Sequence, residues 1–253
     1  MPYVEIPSAR LWYEEVGSGP PLVCLHSGWG RAAMPFDDAV AVLSPSYRMI
    51  FPDRRGYGRS TRLDSLPPAY HHDAMVDLVG FLDALSIDRA IFWGHSDGAI
   101  TAAMLAAAHP ERVAALILEA IHFYRAKSRE FFERFTLKPD MLPKYVQERL
   151  RADHGEEYWR TVIRMHSRTW LGYHDVGGDF YEGRLETIRC PTLVLYGEGD
   201  PHTPPSEVAE LASHLRSAEL ERVIGGGHSP HSEPKTARVC SDRVQRFLAD
   251  HGR

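Results

Sequence analysis

Residues 90–110 read AIFWGHSDGAITAAMLAAAHP. The run AIFWG (90–94) is apolar throughout and rich in aromatic residues, which suits a strand buried on both faces. Directly after it comes Gly94-His95-Ser96-Asp97-Gly98, a G-x-S-x-G pattern, and then an Ala-rich segment that reads as a helix stopped by Pro110. The five-residue pattern alone arises easily by chance, and a Gly-Ser turn without chemistry is the plain alternative. Strand, sharp turn and helix in that order make it specific, because the turn must hold the Ser hydroxyl above the strand ends in a strained conformation. Glycines at 94 and 98 give the turn clearance, and Ala99, Ala102 and Ala103 let the helix pack closely. A helix N-terminus beside Ser96 favours developing negative charge. Ser96 is the expected nucleophile.

The same alternation extends on both sides. LVCLH (22–26), YRMIFPD (47–53), VAALILE (113–119) and TLVLYG (192–197) are further buried-strand runs. Between them Phe36, Val40 and Leu43, then Met75, Val79 and Leu82, and later Cys240, Val244 and Phe247 fall at i, i+4, i+7, one helical face each. Strand and helix in alternation predict an α/β fold, a mostly parallel sheet with helices on both faces. YVEI and LWYEEV near the N-terminus, with GSG nearby, suggest an antiparallel entry to the sheet. From 122 to 186 the strand runs stop and aromatic and Arg residues fall in helix-like patterns. The expected organisation is a core of 1–121 and 187–253 with a helical cap of 122–186.

A serine nucleophile needs a base, and the base an orienting carboxylate. TLVLYGEGDP supplies Asp200 just past a strand, and LERVIGGGHSPHSEP supplies His228 after three glycines. Both fall at carboxyl strand ends, where sites in parallel sheets form. His231 competes with His228 and loses on position, since the Gly-rich turn points to His228. Glu119, ending LILE, is the runner-up acid, and Glu198 is the near neighbour to exclude. Oxyanion donors are expected from the backbone N–H of Asp97 and from Ser27 or Gly28 in the HSGWG loop (26–30). Trp29, His95, Phe123, Tyr124, Trp159 and Trp170 are expected to touch substrate, with Phe131 and Phe132 as further cap aromatics; cap-to-core packing is the competing role for the cap members.

Composition narrows the field. Over 253 residues the chain has 43% hydrophobic and 25% charged residues and a formal net charge of -5, ordinary for a globular protein. No basic stripe fits a nucleic-acid backbone, and no apolar run approaches a membrane span. Cys24, Cys190 and Cys240 read as reduced thiols. The chain contains no Asn, so N-glycosylation is impossible. No leader-like segment is visible, and a cytoplasmic location is the expectation. The pairs His71-His72 and His228-His231 lack zinc-site spacing, and no G-x-G-x-x-G or P-loop follows a strand; neither metal nor cofactor is expected. The expected partner is a small-molecule substrate, for a monomer or homodimer.

Together these motifs resemble the α/β-hydrolase superfamily over nearly the whole chain outside the cap. LHSGWG is similar to its His-Gly oxyanion loop, with Ser27 where Gly is usual. FPDRRGYGRS (51–60) is similar to its D-x-R-G-x-G-x-S segment, and GHSDG, YGEGDP and GGGHSPH match the elbow, acid and histidine motifs. GHSDGAITA and GEGDPHTP are closest to the valacyclovirase-like branch, which hydrolyses amino-acid esters and carries an acidic residue right after its nucleophile. That resemblance implies an amine-attracting role for Asp97, against the plainer expectation that Asp97 caps its helix or pairs with an Arg. Dehalogenase and epoxide-hydrolase relatives need an Asp nucleophile, and the active-site Asn of meta-cleavage hydrolases is absent. Iminopeptidases resemble the chain at DRRGYGRS but have an extended Gly-Pro oxyanion loop. The implied activity is ester hydrolysis through an acyl-enzyme. Carbon–carbon or amide hydrolysis on the same residues, or a non-catalytic receptor on this scaffold, are the alternatives.

Overall fold

The computed structural model describes residues 3–215 and 218–251; residues 1–2, 216–217 and 252–253 of the expected core segments lie outside them. Eight strands form one sheet: β1 (Tyr3–Ile6), β2 (Ala9–Val16), β3 (Pro21–Leu25), β4 (Arg48–Pro52), β5 (Ala90–His95), β6 (Val113–Glu119), β7 (Thr192–Gly197) and β8 (Ala218–Val223). Their order is β1-β2-β4-β3-β5-β6-β7-β8. β1 and β2 are the antiparallel entry, pairing with each other and, through β2, with β4. Every other neighbour pair is parallel.

Side chains alternate across the strands with period two, and two cores result. On one face Val23, Leu25, Phe92, Leu116 and Val194 meet α2 (Tyr70–Ala84) and α3 (Asp97–Ala108). On the other, Leu22, Cys24, Trp93, Ile117 and Leu193 meet α1 (Asp37–Leu43) and α8 (Ala237–His251). The helical trios land as their spacing requires: Cys240, Val244 and Phe247 are buried, as are Met75 and Leu82, while Val79 is partly buried against the first core. Each such fully buried Leu or Phe contributes roughly 1.5–3 kcal/mol. Ends of the expected strands move by one or two residues, where assignments are least sharp.

Between β6 and β7 lie α4 (Arg129–Leu137), α5 (Lys144–His154) and α6 (Tyr158–Val176). This segment leaves and returns through one narrow neck. Tyr124 and Asp179 form an antiparallel bridge, Arg125 N–H donates to the Gly178 carbonyl, and Phe180 N–H donates to that of Phe123. Phe135, Leu142, Leu150, Trp159 and Ile163 form a small core with Ala33. α7 (Pro205–His214) precedes β8. Among the described residues no helix is long and apolar enough to cross a membrane. All three cysteines are free, Cys24 and Cys240 buried.

Candidate active site

Ser96 joins β5 to α3 with φ 54° and ψ -117°, a conformation that costs a non-glycine residue on the order of 1–3 kcal/mol. The surroundings force it. Ser96 N–H donates to the Glu119 carbonyl on β6 at 2.9 Å. A Cβ on Gly98 would lie 2.2 Å from the Leu25 carbonyl oxygen, and one on Gly94 2.4 Å from that of Gly98. Glycine is thus required at 94 for the start of α3 to pack on β5, and at 98 for it to pack on the end of β3.

Loops after β7 and β8 bring two more groups to this point. Ser96 Oγ–H donates to His228 Nε2 at 3.1 Å. His228 Nδ1–H donates to Asp200, 2.9 Å from Oδ2 and 3.0 Å from Oδ1. The network fixes these proton positions. Burial pushes the Asp200 carboxyl up, but the bond and charge of His228 and the His202 amide bring it down to about 2.

Glu119 and His231 take each other. Wholly buried, Glu119 accepts from His231 Nδ1 at 2.7 Å, from His231 N–H at 3.0 Å and from Trp93 Nε1 at 2.9 Å. Burial raises its pKa, yet His231 outweighs this and holds it at about 2. His95, Glu119 and His231 place three possible donor atoms within 4.8 Å of one another, but the Glu119–His231 bond already uses two of them. Glu198 faces the Gly225 amide and Arg222 instead.

A cavity of about 210 Å³ opens over Ser96. Ser27, Gly28, Trp29, Asp97, Phe131, Phe132, Trp170 and His228 line it. Four residues expected at substrate are elsewhere. His95 is wholly buried behind the elbow, its Nε2 3.0 Å from the His228 carbonyl and 3.2 Å from Ser229 Oγ. Trp159 packs in the small helical core. Phe123 stacks on His214 and lies tilted against Tyr181 near the neck, with Tyr124 beside it and exposed. A separate cavity of about 390 Å³, between α2, α3 and the end of α6, contains none of Ser96, Asp200 and His228.

Asp97 corrects a further expectation. It is the first residue of α3, with Ser96 at the cap position, and no arginine pairs with it among the described residues. His166 Nε2 lies 3.1 Å from its Oδ2, Trp170 Nε1–H donates to Oδ1 at 3.2 Å, and His71 Nε2 stands 3.7 Å away. Burial pushes this carboxyl up, but the two imidazoles hold it well below the usual range. Gly28 leaves room for the pair: a Cβ there would lie 1.9 Å from His166 Nε2. The Ser27 carbonyl is tied back by buried Arg54, whose Nη2 donates to it at 2.7 Å, and by His26 Nδ1 at 2.7 Å.

The cavity also holds groups that sequence reasoning missed: His122, Lys127, His166 and His202. Lys127 is paired with Glu207 and donates to the His202 carbonyl at 3.1 Å. Burial, then the His228 charge, takes His202 down to about 4. With fourteen histidines in the chain, none carries a signal without a partner in view.

A model of the alpha/beta hydrolase family matches residues 22–239. Serine hydrolase BPHL of Homo sapiens is 25% identical over 233 aligned residues, covering 90% of this chain and 80% of that protein. Proline iminopeptidase of Xylella fastidiosa is 34% identical over 289, covering 92% of this chain and 91% of that protein. The enol-lactonase from Burkholderia xenovorans LB400 superposes with a TM-score of 0.78 at 22% identity, covering 98% of this chain and all of that one; at that identity the likeness concerns the fold. Since the match takes in the sheet from β3 to β8 and all three loops that meet at Ser96, the chain belongs to the alpha/beta hydrolase family.

Proposed function

We propose that the protein is a serine hydrolase that cleaves a carboxylic ester of a small molecule through an acyl-enzyme. One observation carries this reading: the unbroken hydrogen-bond chain from Asp200 through His228 to Ser96 Oγ, opening on a cavity lined by aromatic side chains. Ser96 Oγ attacks the carbonyl carbon while its proton passes to His228 Nε2. Asp200, held ionised, orients the imidazole and stabilises its charged form. The oxyanion is held by the Asp97 amide at the start of α3 and by that of Ser27 or Gly28. His228 then gives its proton to the leaving alcohol. A water takes the alcohol's place, loses a proton to His228, and releases the acid as Ser96 recovers its hydrogen.

Residues 122–186 serve as the cap in this account, with Phe131, Phe132 and Trp170 on α4 and α6 walling the cavity above a core of 1–121 and 187–253. At about 210 Å³ the space suits a short acyl group. The free thiols fit a reducing cytoplasm, with the protein as monomer or homodimer. Short-chain p-nitrophenyl esters and Ser96→Ala test the reading. Hydrolysis that falls by about 10⁴-fold or more in the variant supports it; a folded wild type that turns over no ester and never labels with a serine-directed phosphonate refutes it.

A second reading is favoured by Asp97, an ionised carboxylate on the cavity wall beside Ser96. It would select aminoacyl esters or amides, with the substrate ammonium displacing His166 from Oδ2.

A further inference from the structure

We propose that His122 is a second catalytic histidine, donating a hydrogen bond from Nε2 to Ser96 Oγ; this rests on the reading of Ser96 as the nucleophile. His122 Nε2 stands 3.3 Å from Ser96 Oγ, against 3.1 Å for His228 Nε2. The serine has one proton to give. His228 Nδ1–H is committed to Asp200, so the neutral His228 has a bare Nε2, and the Ser96 proton goes there. The contact with His122 is then a hydrogen bond only if His122 is the donor.

The surroundings of His122 supply that protonation state. Its Nδ1 lies 3.4 Å from Thr203 Oγ1, a buried hydroxyl able to donate to it, which puts the single ring proton on Nε2. Burial, then the charge of Lys127, holds the ring well below the ordinary imidazole value, and among the described residues no carboxylate is hydrogen-bonded to the ring as Asp200 is to that of His228. It is a poor base and a good fixed donor. Its ring lies parallel to that of His228, centroids 5.5 Å apart, and edge-on to Trp170 at 5.1 Å. Tyr181 Oη–H donates to the His122 carbonyl at 2.8 Å. Ala120, with φ 48°, turns the chain off the end of β6 toward Ser96. A strained non-glycine residue beside a reactive group is a pattern of functional sites.

The donor acts where charge changes. As Oγ bonds to the carbonyl carbon, its O–H bond breaks and the proton passes to His228, so Oγ accepts more strongly on the way to the transition state. His122 keeps its own proton throughout. In deacylation Oγ is the leaving group and meets the same donor before His228 reprotonates it. Deleting a comparable oxyanion donor costs about 10²–10³-fold. Here the charge on Oγ is partial and transient, and about 10- to 100-fold is expected.

The test is the second-order rate of Ser96 labelling by an alkyl fluorophosphonate, with ester kcat and KM, in wild type, His122→Phe, His122→Gln, Thr203→Val and Thr203→Ser, each checked by thermal melting. His122→Phe should label about 10- to 100-fold more slowly and lose kcat rather than KM. His122→Gln, which keeps an N–H near the Nε2 position, should recover to within a few-fold of wild type. Thr203→Val should slow labelling severalfold and Thr203→Ser should not. A folded His122→Phe that labels within twofold of wild type overturns the proposal, as does a folded His122→Gln no faster than His122→Phe. If neither His122 variant folds, Thr203→Val decides: a wild-type labelling rate overturns the assignment of the proton to Nε2. Should wild type itself never label, the nucleophile reading fails first and takes this one with it, an outcome distinct from a normal wild type with unaffected variants.

Discussion

Removing the charge of Glu119 should weaken the whole fold. Its carboxyl is wholly buried and falls from an ordinary 4.5 to about 2 in the folded protein. By linkage that drop corresponds to about 3 kcal/mol of stability. A depressed acid contributes fully above its unfolded value near 4.5, and the contribution disappears as pH falls through about 2. Glu119→Gln removes the charge and also misplaces a donor. One carboxylate oxygen accepts twice from His231 and the other accepts from the Trp93 indole N–H, so the amide NH₂ must face a donor whichever way it turns. Breaking a buried pair from one side costs about 3–5 kcal/mol. Urea unfolding of wild type and variant, followed by circular dichroism from pH 7 to pH 3, reads the result. A gap of about 3 kcal/mol or more at pH 7, narrowing below pH 4.5, is expected. A gap under 1 kcal/mol at pH 7, or one unchanged between pH 6 and pH 3, refutes the reasoning.

Two tryptophans on α6 should separate structure from function. Trp159→Ala should cost about 3–5 kcal/mol in urea unfolding, as large-to-small core changes do, while leaving ester KM near wild type; Trp170→Ala should change KM through the cavity wall and the lost bond to Asp97. Asp97→Asn should erase any preference for aminoacyl esters over matched deaminated ones, measured as a ratio of kcat/KM. Equal wild-type rates on the two substrates would remove the amine reading, leaving Asp97 as a buried partner of His166 and Trp170.

What was legible depended on whether neighbours in sequence are neighbours in space. Strand, turn and helix around Ser96 are contiguous, so Gly94, Gly98 and the small residues of α3 announce their packing. Asp200 and His228 are distant from Ser96 along the chain, but each follows a buried strand whose carboxyl end must face the same way in a parallel sheet. His122 was not legible, because the turn that aims it depends on Ala120 at positive φ, a position no glycine marks. His166 and His71 meet Asp97 across 69 and 26 residues with no motif between. Trp159 and Trp170 show the limit of periodicity. Eleven residues apart, they share a helix face to within about 20°, yet stand about 16 Å apart along the axis. A wheel projection cannot tell the one in the cavity from the one in the helical core.

The neck at Tyr124 and Asp179 has a consequence for how such a protein can change. Two main-chain hydrogen bonds, which make the Tyr124–Asp179 bridge, close a loop on itself there, so the intervening residues begin and end at one point of the scaffold. Insertions, deletions or wholesale exchange between those two positions alter what stands over Ser96 without moving the strands that hold Ser96, Asp200 and His228. The groups that meet at Ser96 and part of the wall over them therefore sit on separate stretches of chain. A graft joined at the same two residues is the natural unit for giving this scaffold a different appetite.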